Sequence, residues 1–349
     1  MSFVEQQGFH EFMAETQPLF KFYTRNTLRS DAMKMYEAEK AMLLKLLGKN
    51  SSRIAITTDM WSSDCQNKGY MAITAHFIDD DWNLQNRLVR FAYVPAPHTT
   101  EVLSDVLVNS LYDWNIDRKL STLTVDNCST NDAMIHLVLD KISPSNFVKR
   151  GEFFHMRCCA HIVNLIVKDG MNAIYGSIEK IRDSVSFWVA TREEKFEETC
   201  RQLNINYRRK LALDCRTRWN STYLMLASTL PYREVFERLR HRKSLYKVVP
   251  PDDEWEMANE LVDKLEVFYS VTELFFGTLY PTTNLYFSKV CEMRLNLNEW
   301  LFSPNEMIHR MATNMISKFE KYWDQINEVM AVGAILDPRY KMKLLKFFS

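Results

Sequence analysis

The sequence predicts an α/β domain joined to a large all-helical region, and two observations carry this prediction. In the first half of the chain, short alternating or β-branched apolar runs are separated by turn residues and by two amphipathic segments. From about residue 162, apolar residues recur at helical spacing almost to the end. Because 349 residues exceed what one compact core usually serves, we expect more than one structural unit.

A helical segment at 11–48 precedes five predicted strands and two intervening helices. The strands are predicted at 53–59, 69–78, 84–94, 119–126 and 153–159, and the helices at 100–114 and 129–141. The second helix begins with Ser-Thr-Asn-Asp, which is similar to a capping box. The order β-β-β-α-β-α-β is that of a ribonuclease-H-like core, in which the first strand is central and the fourth lies beside it.

The second half is predicted to contain only helices. They are expected at 162–174, 177–204, 217–242, 253–279, 283–301 and 305–331. The breaks fall at prolines, which cannot donate a backbone hydrogen bond inside a helix, namely Pro231, Pro250, Pro251, Pro281 and Pro304.

Composition narrows the classes of protein. Apolar residues make up 46% and charged residues 25% of the chain, which is ordinary for a globular protein. With only 8 glycines and neither a GxGxxG nor a GxxxxGK[ST] motif, a glycine-rich phosphate loop is not expected. No apolar run approaches the roughly 20 residues that span a bilayer, so no membrane association is predicted. The 7 cysteines, an odd number without framework spacing, indicate a reducing compartment.

Charge is unevenly distributed although the formal net charge is zero. Between residues 201 and 247 there are 12 Lys or Arg against 3 Asp or Glu. The next stretch, 252–273, carries 8 acidic residues against Lys264 alone. A neutral total therefore conceals a basic surface, which favours contact with nucleic acid.

Two aspartates stand where predicted strands end. Asp59 closes the first strand, and Asp126 closes the fourth. If these strands are parallel neighbours, about 4.8 Å apart, the two carboxylates could share divalent cations for phosphoryl transfer, with Mg²⁺ the expected ion. Taken singly, each aspartate also has a structural interpretation, because Asp126 could cap the following helix and Asp59 could cap a turn.

Five motifs occur in order along the chain: TTDMWSS (57–63), GYMAITAHFIDDDWNL (69–84), LTVDNCSTND (123–132), RCCAHIVNLIVKDG (157–170) and TRWNSTYLML (217–226). Together they resemble those of the hAT-superfamily DNA transposases, including the plant zinc-finger-BED "sleeper" group. The stretches PTTNLYF (281–287) and ILDPRYK (335–341) extend the resemblance through nearly the whole chain.

The resemblance implies a ribonuclease-H-like core with a large helical insertion domain. We therefore expect an N-terminal helical segment at 1–50, the core at 51–161 and the insertion domain at 162–349. Asp59 and Asp126 would be the first two acids of the family's metal-binding triad, and Cys158 and His161 would form its CxxH motif. Trp219 would stack on a flipped base, although packing in a core is an equal alternative.

The basic stretch at 201–247 provides the remaining predicted site residues. Arg208, Arg209, Lys210, Arg216 and Arg218 are the predicted DNA-binding cations. Zinc is not predicted, because no second pair of Cys or His accompanies the CxxH motif. Cys158 and His161 also have a structural interpretation as buried core residues.

Two parts of the family pattern are missing from the sequence: the third acidic residue, a glutamate in a C-terminal dimerisation segment, and the N-terminal BED finger. We therefore expect a chain truncated at both ends, with an incomplete core. The predicted function is nuclear DNA binding without catalysis. The alternatives are a metal-dependent transposase completed by a partner chain, and a protein-interaction module or pseudogene-like fragment. Association with itself or with full-length relatives is also expected.

Overall fold

The computed structural model describes residues 1–63, 68–189, 192–216, 218–242, 245–277, 280–323 and 328–348. The chain divides into two compact units. The first contains residues 1–124 and 129–155, and the second contains residues 125–128 and 156–349. The domain boundaries at 50 and 161 remain a prediction.

A five-stranded mixed sheet forms around the predicted central strand. Its strands are β1 Ile54–Ser62, β2 Gly69–Ile78, β3 Leu84–Val94, β4 Leu120–Val125 and β5 His155–Arg157. Their order in the sheet is β3-β2-β1-β4-β5. The pairs β1–β2 and β2–β3 are antiparallel, whereas β1 and β4 are parallel. The predicted α/β class and the ribonuclease-H-like element order are therefore confirmed.

The helices of the first unit are α1 Gln7–Thr16, α2 Arg25–Lys49, α3 Thr100–Asp113 and α4 Ser129–Lys141. Side chains satisfy backbone groups at both ends of α2. Thr24 Oγ1 accepts a hydrogen bond from Thr27 N at 3.2 Å. At the other end, Lys119 Nζ donates to Leu47 O at 2.9 Å and to Asn50 O at 2.6 Å. The lysine thereby ties the end of α2 to the turn before β4.

Strand β2 shows the alternation that the sequence predicts for a sheet with one covered face. Met71, Ile73, Ala75 and Phe77 are buried, and the residues between them are half-buried. Successive side chains of a strand point to opposite faces, so this alternation directs one face of β2 into the core of the unit.

The second unit is helical, with helices that follow β5 directly. They are α5 Cys159–Asn172, α6 Glu179–Val189, α7 Glu193–Gln202, α8 Trp219–Thr229, α9 Arg233–Arg242, α10 Asp252–Phe275, α11 Thr283–Trp300, α12 Glu306–Trp323, α13 Glu328–Leu336 and α14 Lys341–Phe348.

The break predicted at Pro231, within the segment at 217–242, is confirmed. A 3-10 turn at Leu230–Tyr232 separates α8 from α9, because Pro231 cannot donate to the preceding turn. The single helix predicted at 177–204 is wrong, because Arg192, whose backbone is not helical, stands between α6 and α7. The segment predicted at 305–331 contains α12 and α13. Residues 190–191 and 324–327 lie outside the described residues.

Large aromatic side chains fill the core of the second unit. Trp188, Phe196, Phe236 and Trp255 are fully buried. Ring centroids lie 6.2 Å apart for the first pair and 5.7 Å apart for the second, within the range of favourable aromatic contacts. In the described part of the chain, no helix combines the length and the apolarity needed to cross a membrane.

Glycine at position 170 allows a close helix contact inside this core. A Cβ atom at this position would lie 2.4 Å from Met315 Cγ and 3.0 Å from Met311 Cγ. A larger residue at position 170 would therefore displace the side chains of these two methionines.

Candidate active site and nucleic-acid interface

Asp126, Cys158 and His161 form a cluster within the second unit. Asp126 directly follows β4, and Cys158 lies between β5 and the start of α5. The backbone N–H of Cys158 donates to Val125 O at 3.1 Å, which holds the two segments side by side. His161 lies in the first turn of α5, and its Nδ1 is 3.4 Å from Asp126 Oδ2. The structure thus brings together three of the predicted site residues.

Asn127 adds a contact that the sequence analysis did not anticipate. Its Nδ2 donates to Cys158 O at 3.3 Å. Because Asn127 follows Asp126 directly, this bond fixes the backbone on which the carboxylate stands. Asn127 belongs to the LTVDNCSTND motif, and this position could have identified it as a site residue from the sequence.

The cluster favours a charged carboxylate and a neutral thiol. The hydrogen bond with His161 lowers the pKa of Asp126, assisted by the charge of His161 and a hydrogen bond from Cys158, while burial opposes them. Burial raises the pKa of the Cys158 thiol to about 11, and the nearby Asp126 carboxylate raises it further. At neutral pH the thiol therefore keeps its proton and serves as a donor to Asp126.

Asp59 is placed differently from the prediction. Strand β1 does not end there but continues to Ser62, because residues 59–62 remain paired with β2, with Asp59 opposite Ala72. The parallel pairing of β1 with β4 runs only to Thr57 and Thr124. Asp59 is exposed and belongs to the first compact unit.

The parallel arrangement of β1 and β4, on which the metal hypothesis depends, is confirmed. Asp59 and Asp126 each come two residues after the last parallel pair. Carboxylate oxygens at such positions are the donors that Mg²⁺ prefers. Across the described ranges, no group of three or more His, Cys, Asp or Glu side chains is arranged to hold a metal ion. The shared metal site remains a prediction.

The predicted DNA-binding cations lie together on one segment between α7 and α8, residues 203–218, here called the basic loop. Its five predicted cations are all exposed: Arg208, Arg209, Lys210, Arg216 and Arg218. Two of them have acidic partners: Lys210 Nζ is 3.3 Å from Glu193 Oε1, and Arg216 Nη2 is 3.3 Å from Glu179 Oε2.

The other three cations are available for an external ligand. Among residues whose placement is described, Arg208, Arg209 and Arg218 have no acidic side chain within 4.0 Å. Exposed guanidinium groups without partners are suited to phosphate, which they bind through two parallel hydrogen bonds. The basic loop therefore offers three unpaired arginines within eleven positions of sequence.

A buried ion pair that the sequence analysis missed anchors the basic loop. Arg182, on α6, donates from Nε to Asp214 Oδ1 at 2.9 Å and from Nη2 to Asp214 Oδ2 at 2.8 Å. Thr222 Oγ1 adds a third donor to Asp214 at 2.6 Å. The two side chains are only 6% and 1% exposed. No sequence signal marks the pair, because its members are 32 residues apart.

Two tyrosines hold the loop backbone where the arginines are most concentrated. Tyr232 Oη donates to Arg209 O at 2.9 Å. Tyr207 Oη accepts from Leu211 N at 3.1 Å. The loop is thus fixed at the backbone while its cationic side chains stay in solvent, which reduces the entropy lost when they bind a ligand.

Trp219 is buried, with 4% of its surface exposed, at the first position of α8. Its indole belongs to the hydrophobic core of the helical unit. Of the two alternatives for this residue, the arrangement favours core packing. Base stacking by Trp219 stays an untested prediction, and it requires the side chain to leave this core.

The PTTNLYF and ILDPRYK stretches meet in the structure. Asn284 Nδ2 donates to Asp337 Oδ2 at 2.8 Å, and Arg339 binds the same carboxylate through Nε and Nη2. These hydrogen bonds hold the pKa of Asp337 far below its usual range. The two motifs therefore form a polar contact between the start of α11 and the end of α13.

Comparison with known families agrees with this architecture. Residues 57–153 match the family described as ZBED1 RNase-like domain, and residues 156–263 match ZBED1 RNase-like helical domain. Residues 284–349 match hAT-like transposase, RNase-H fold. The first two matches meet where the structure divides into its compact units. The fold and the matches define a protein related to the hAT-superfamily transposases, as the sequence motifs predicted.

Individual relatives support the same relationship. A Zea mays protein named "Putative AC transposase" is 40% identical over 99% of this chain and 43% of its own length. "Zinc finger BED domain-containing protein RICESLEEPER 2" of Oryza sativa subsp. japonica is 34% identical over 99% of this chain and 48% of its own length. DAYSLEEPER of Arabidopsis thaliana is 29% identical, with 99% and 50% covered. The chain spans about half the length of the curated relatives it matches.

Proposed function

We propose that this transposase-derived chain binds DNA through the phosphate backbone, using the basic loop. The observation that carries the proposal is the cluster of Arg208, Arg209 and Arg218, which are exposed and have no acidic partner in the described structure. Contacts to phosphate come chiefly from Arg and Lys side chains and do not by themselves select a sequence. The kinship with proteins named as transposases supports DNA over other polyanions.

The experiment measures binding of a fluorescently labelled DNA duplex by anisotropy. Replacing Arg208, Arg209 and Arg218 together by Gln is expected to weaken binding at least about tenfold at low salt, because three phosphate contacts are lost. The matched control replaces Lys34, Lys45 and Lys49 of α2, which removes the same charge elsewhere. Equal weakening by the two variants, or no duplex binding by the wild type, would refute the role of the basic loop.

A second candidate function is metal-dependent DNA strand cleavage, which the parallel pairing of β1 with β4 favours. Asp59 and Asp126 would offer carboxylate oxygens to Mg²⁺, which would stabilise attacking and leaving oxygens. If this candidate is right, the chain should nick supercoiled plasmid in Mg²⁺ or Mn²⁺, and Asp59→Ala and Asp126→Ala should each abolish nicking. Absence of nicking by the wild type, or nicking that persists in both variants, would argue against it.

The proposal extends to location and assembly. A DNA-binding protein of this kind would act in the nucleus, which a fluorescent fusion tests directly. Association with a second copy or with longer relatives is tested by the elution volume of the purified chain over a range of protein concentrations.

A further inference from the structure

Helix α2, in the first compact unit, is a long helix that is mostly exposed to solvent. It has 25 residues and extends for about 37 Å at the usual rise per residue. All of these residues lie within the described range 1–63, and among them only Leu47 is buried. Large apolar side chains nevertheless stand in solvent along the helix, since Met35 is 69% and Met42 is 58% exposed. Exposed apolar groups gathered along one element are typical of an interaction surface.

The apolar residues of α2 follow the alternating spacing of four and three residues by which two helices pack together. We call the residues at this spacing the α2 seam. They are Leu28, Ala32, Met35, Glu39, Met42 and Leu46. Glu39 is the one polar member. Because side chains at this spacing form a single row that another helix can interlock with, the spacing indicates that the occupant of this face is a helix.

A cleft beside the α2 seam leaves room for a second helix. Its volume is about 480 Å³, and it opens between α2, β3 and Trp114. Glu39, Met42 and Leu46 of the seam line one wall, and Leu88 of β3 lines the other. Leu88 is 58% exposed. A helix placed on the seam would therefore also cover Leu88, which adds apolar area to a seam of less than three heptads.

The charges beside the seam are complementary to α2 of a second copy in antiparallel orientation. Asp31 and Lys45 each directly precede a seam residue and lie two heptads apart. Such flanking positions meet across a pair of helices and set its orientation. In an antiparallel pair, Asp31 of each copy would meet Lys45 of the other. Both side chains are exposed, and Asp31 is held now only by Lys34 of the same helix, at 3.4 Å.

The seam residues themselves also fit the antiparallel orientation. The leucines at the two ends of the seam would meet, and Ala32 would lie opposite the large side chain of Met42. Glu39 would lie opposite Met35 of the other copy. In a parallel pair, by contrast, Glu39 would face Glu39 of the other copy, and two like charges would repel each other in an apolar interface. A single polar seam residue thus selects one orientation.

We propose that two copies of this chain associate through α2, as an antiparallel helix pair along the α2 seam. The first half of each α2 enters the cleft between α2 and β3 of the other copy. This inference rests on the association proposed above, to which it adds the surface and the orientation, and it does not depend on DNA binding.

The test measures the molar mass of the purified chain by sedimentation over a wide range of protein concentrations, without DNA. The wild type is expected to approach twice the monomer mass. Met35→Glu/Met42→Glu should raise the Kd of the pair at least about tenfold, because it places four charges in one apolar interface. The control Ser30→Glu/Ala41→Glu adds the same charges at exposed positions on the opposite side of α2 and should change the Kd by less than about twofold. A monomeric wild type, or equal weakening by the two variants, would overturn the proposal.

Charge reversal tests the orientation. Lys45→Asp should weaken association because an acidic side chain would then meet Asp31, and adding Asp31→Lys to the same chain should restore it. No recovery in the double variant would overturn the antiparallel arrangement, since the two positions do not meet in a parallel pair. The DNA titrations, whose control variant includes Lys45, are made below the concentration at which the chain associates, so the two results stay separate. Association that the seam variant leaves unchanged would overturn this inference while establishing association itself.

Discussion

At the residue scale, one buried ion pair decides where the basic loop lies. Arg182 and Asp214 are almost fully buried, and Thr222 completes the hydrogen bonding of the carboxylate. Arg182 also pairs with Glu179, whose Oε1 lies 2.8 Å from Nη1. Losing Asp214 would therefore leave the buried guanidinium with a weaker set of partners. The pair should therefore have its largest effect on the free energy of unfolding when one of its members is replaced.

We predict that Asp214→Ala lowers the free energy of unfolding by about 3–4 kcal/mol, because Arg182 stays charged and buried and loses Asp214 while keeping Glu179 as a partner. Thr222→Val should cost less, about 1.5–3 kcal/mol, because it removes one hydrogen bond to a charged group. Urea denaturation followed by circular dichroism measures both values. A cost for Asp214→Ala below that of Thr222→Val would contradict the anchoring role of the ion pair.

Asp214 should also make the free energy of unfolding depend on pH. Burial alone raises the pKa of Asp214, but hydrogen bonds from Arg182 and Thr222 and the charge of Arg182 outweigh it, so the pKa is lowered on folding. A depressed pKa stabilises the fold above the unfolded value of about 3.9, and this contribution is lost as pH falls through the folded value. The difference in unfolding free energy between wild type and Asp214→Asn should therefore be constant at neutral pH and shrink below about pH 4. A difference that stays constant down to pH 3 would argue against this assignment.

At the element scale, the contact between α11 and α13 explains two motifs that a metal or DNA site does not. Asp337 is 6% exposed and accepts from Asn284, from Arg339 and from the backbone N–H of Arg339. Nearby, a Cβ atom at Gly333 would come within 2.7 Å of Thr283 Cγ2, so the two helices approach closely. The residues of the two motifs therefore hold α13 against α11.

We predict that Asp337→Ala loosens α13 and α14 while leaving the core of the helical unit intact. Hydrogen–deuterium exchange should become faster over residues 328–348 and remain unchanged over α8 and α10, because the lost hydrogen bonds belong only to the α11–α13 contact. Asp183→Ala, at an exposed position of α6, serves as the control. Uniformly faster exchange throughout the chain would indicate a general loss of stability instead.

At the scale of the whole molecule, a net charge of zero conceals stretches of opposite sign. The basic loop lies in the basic stretch, the acidic residues at 252–273 belong to α10, and both are part of the helical unit. Interactions of exposed charges are screened over a Debye length of about 8 Å at physiological salt. Binding through the exposed arginines of the basic loop should therefore respond to salt.

We predict a steep salt dependence for DNA binding by the intact chain. Each phosphate neutralised contributes about 0.9 to the slope of log K against log salt concentration. Replacing Arg208, Arg209 and Arg218 should therefore reduce the slope by up to about 2.7. Anisotropy titrations at several salt concentrations measure it, and an unchanged slope would show that these arginines do not contact phosphate.

The order of strands and helices was predictable, because side-chain periodicity follows local backbone geometry. The end of β1 was not predictable. Its pairing with β4 stops at Thr57, whereas its pairing with β2 continues to Ser62, and the alternation of side chains along β1 does not reveal this difference. The role of Trp219 was left open for a related reason. An indole suits a core and a base stack equally well, and only burial distinguishes the two.

By itself, the sequence determined the element order, the family relationship and the uneven charge along the chain, all of which are properties of neighbouring residues. Only the tertiary structure decided which cations are unpaired, that Arg182 meets Asp214, and that Asp126 contacts His161. Those outcomes depend on which distant segments pack together, and the energy of a charge depends on its surroundings in space rather than on its place in the chain.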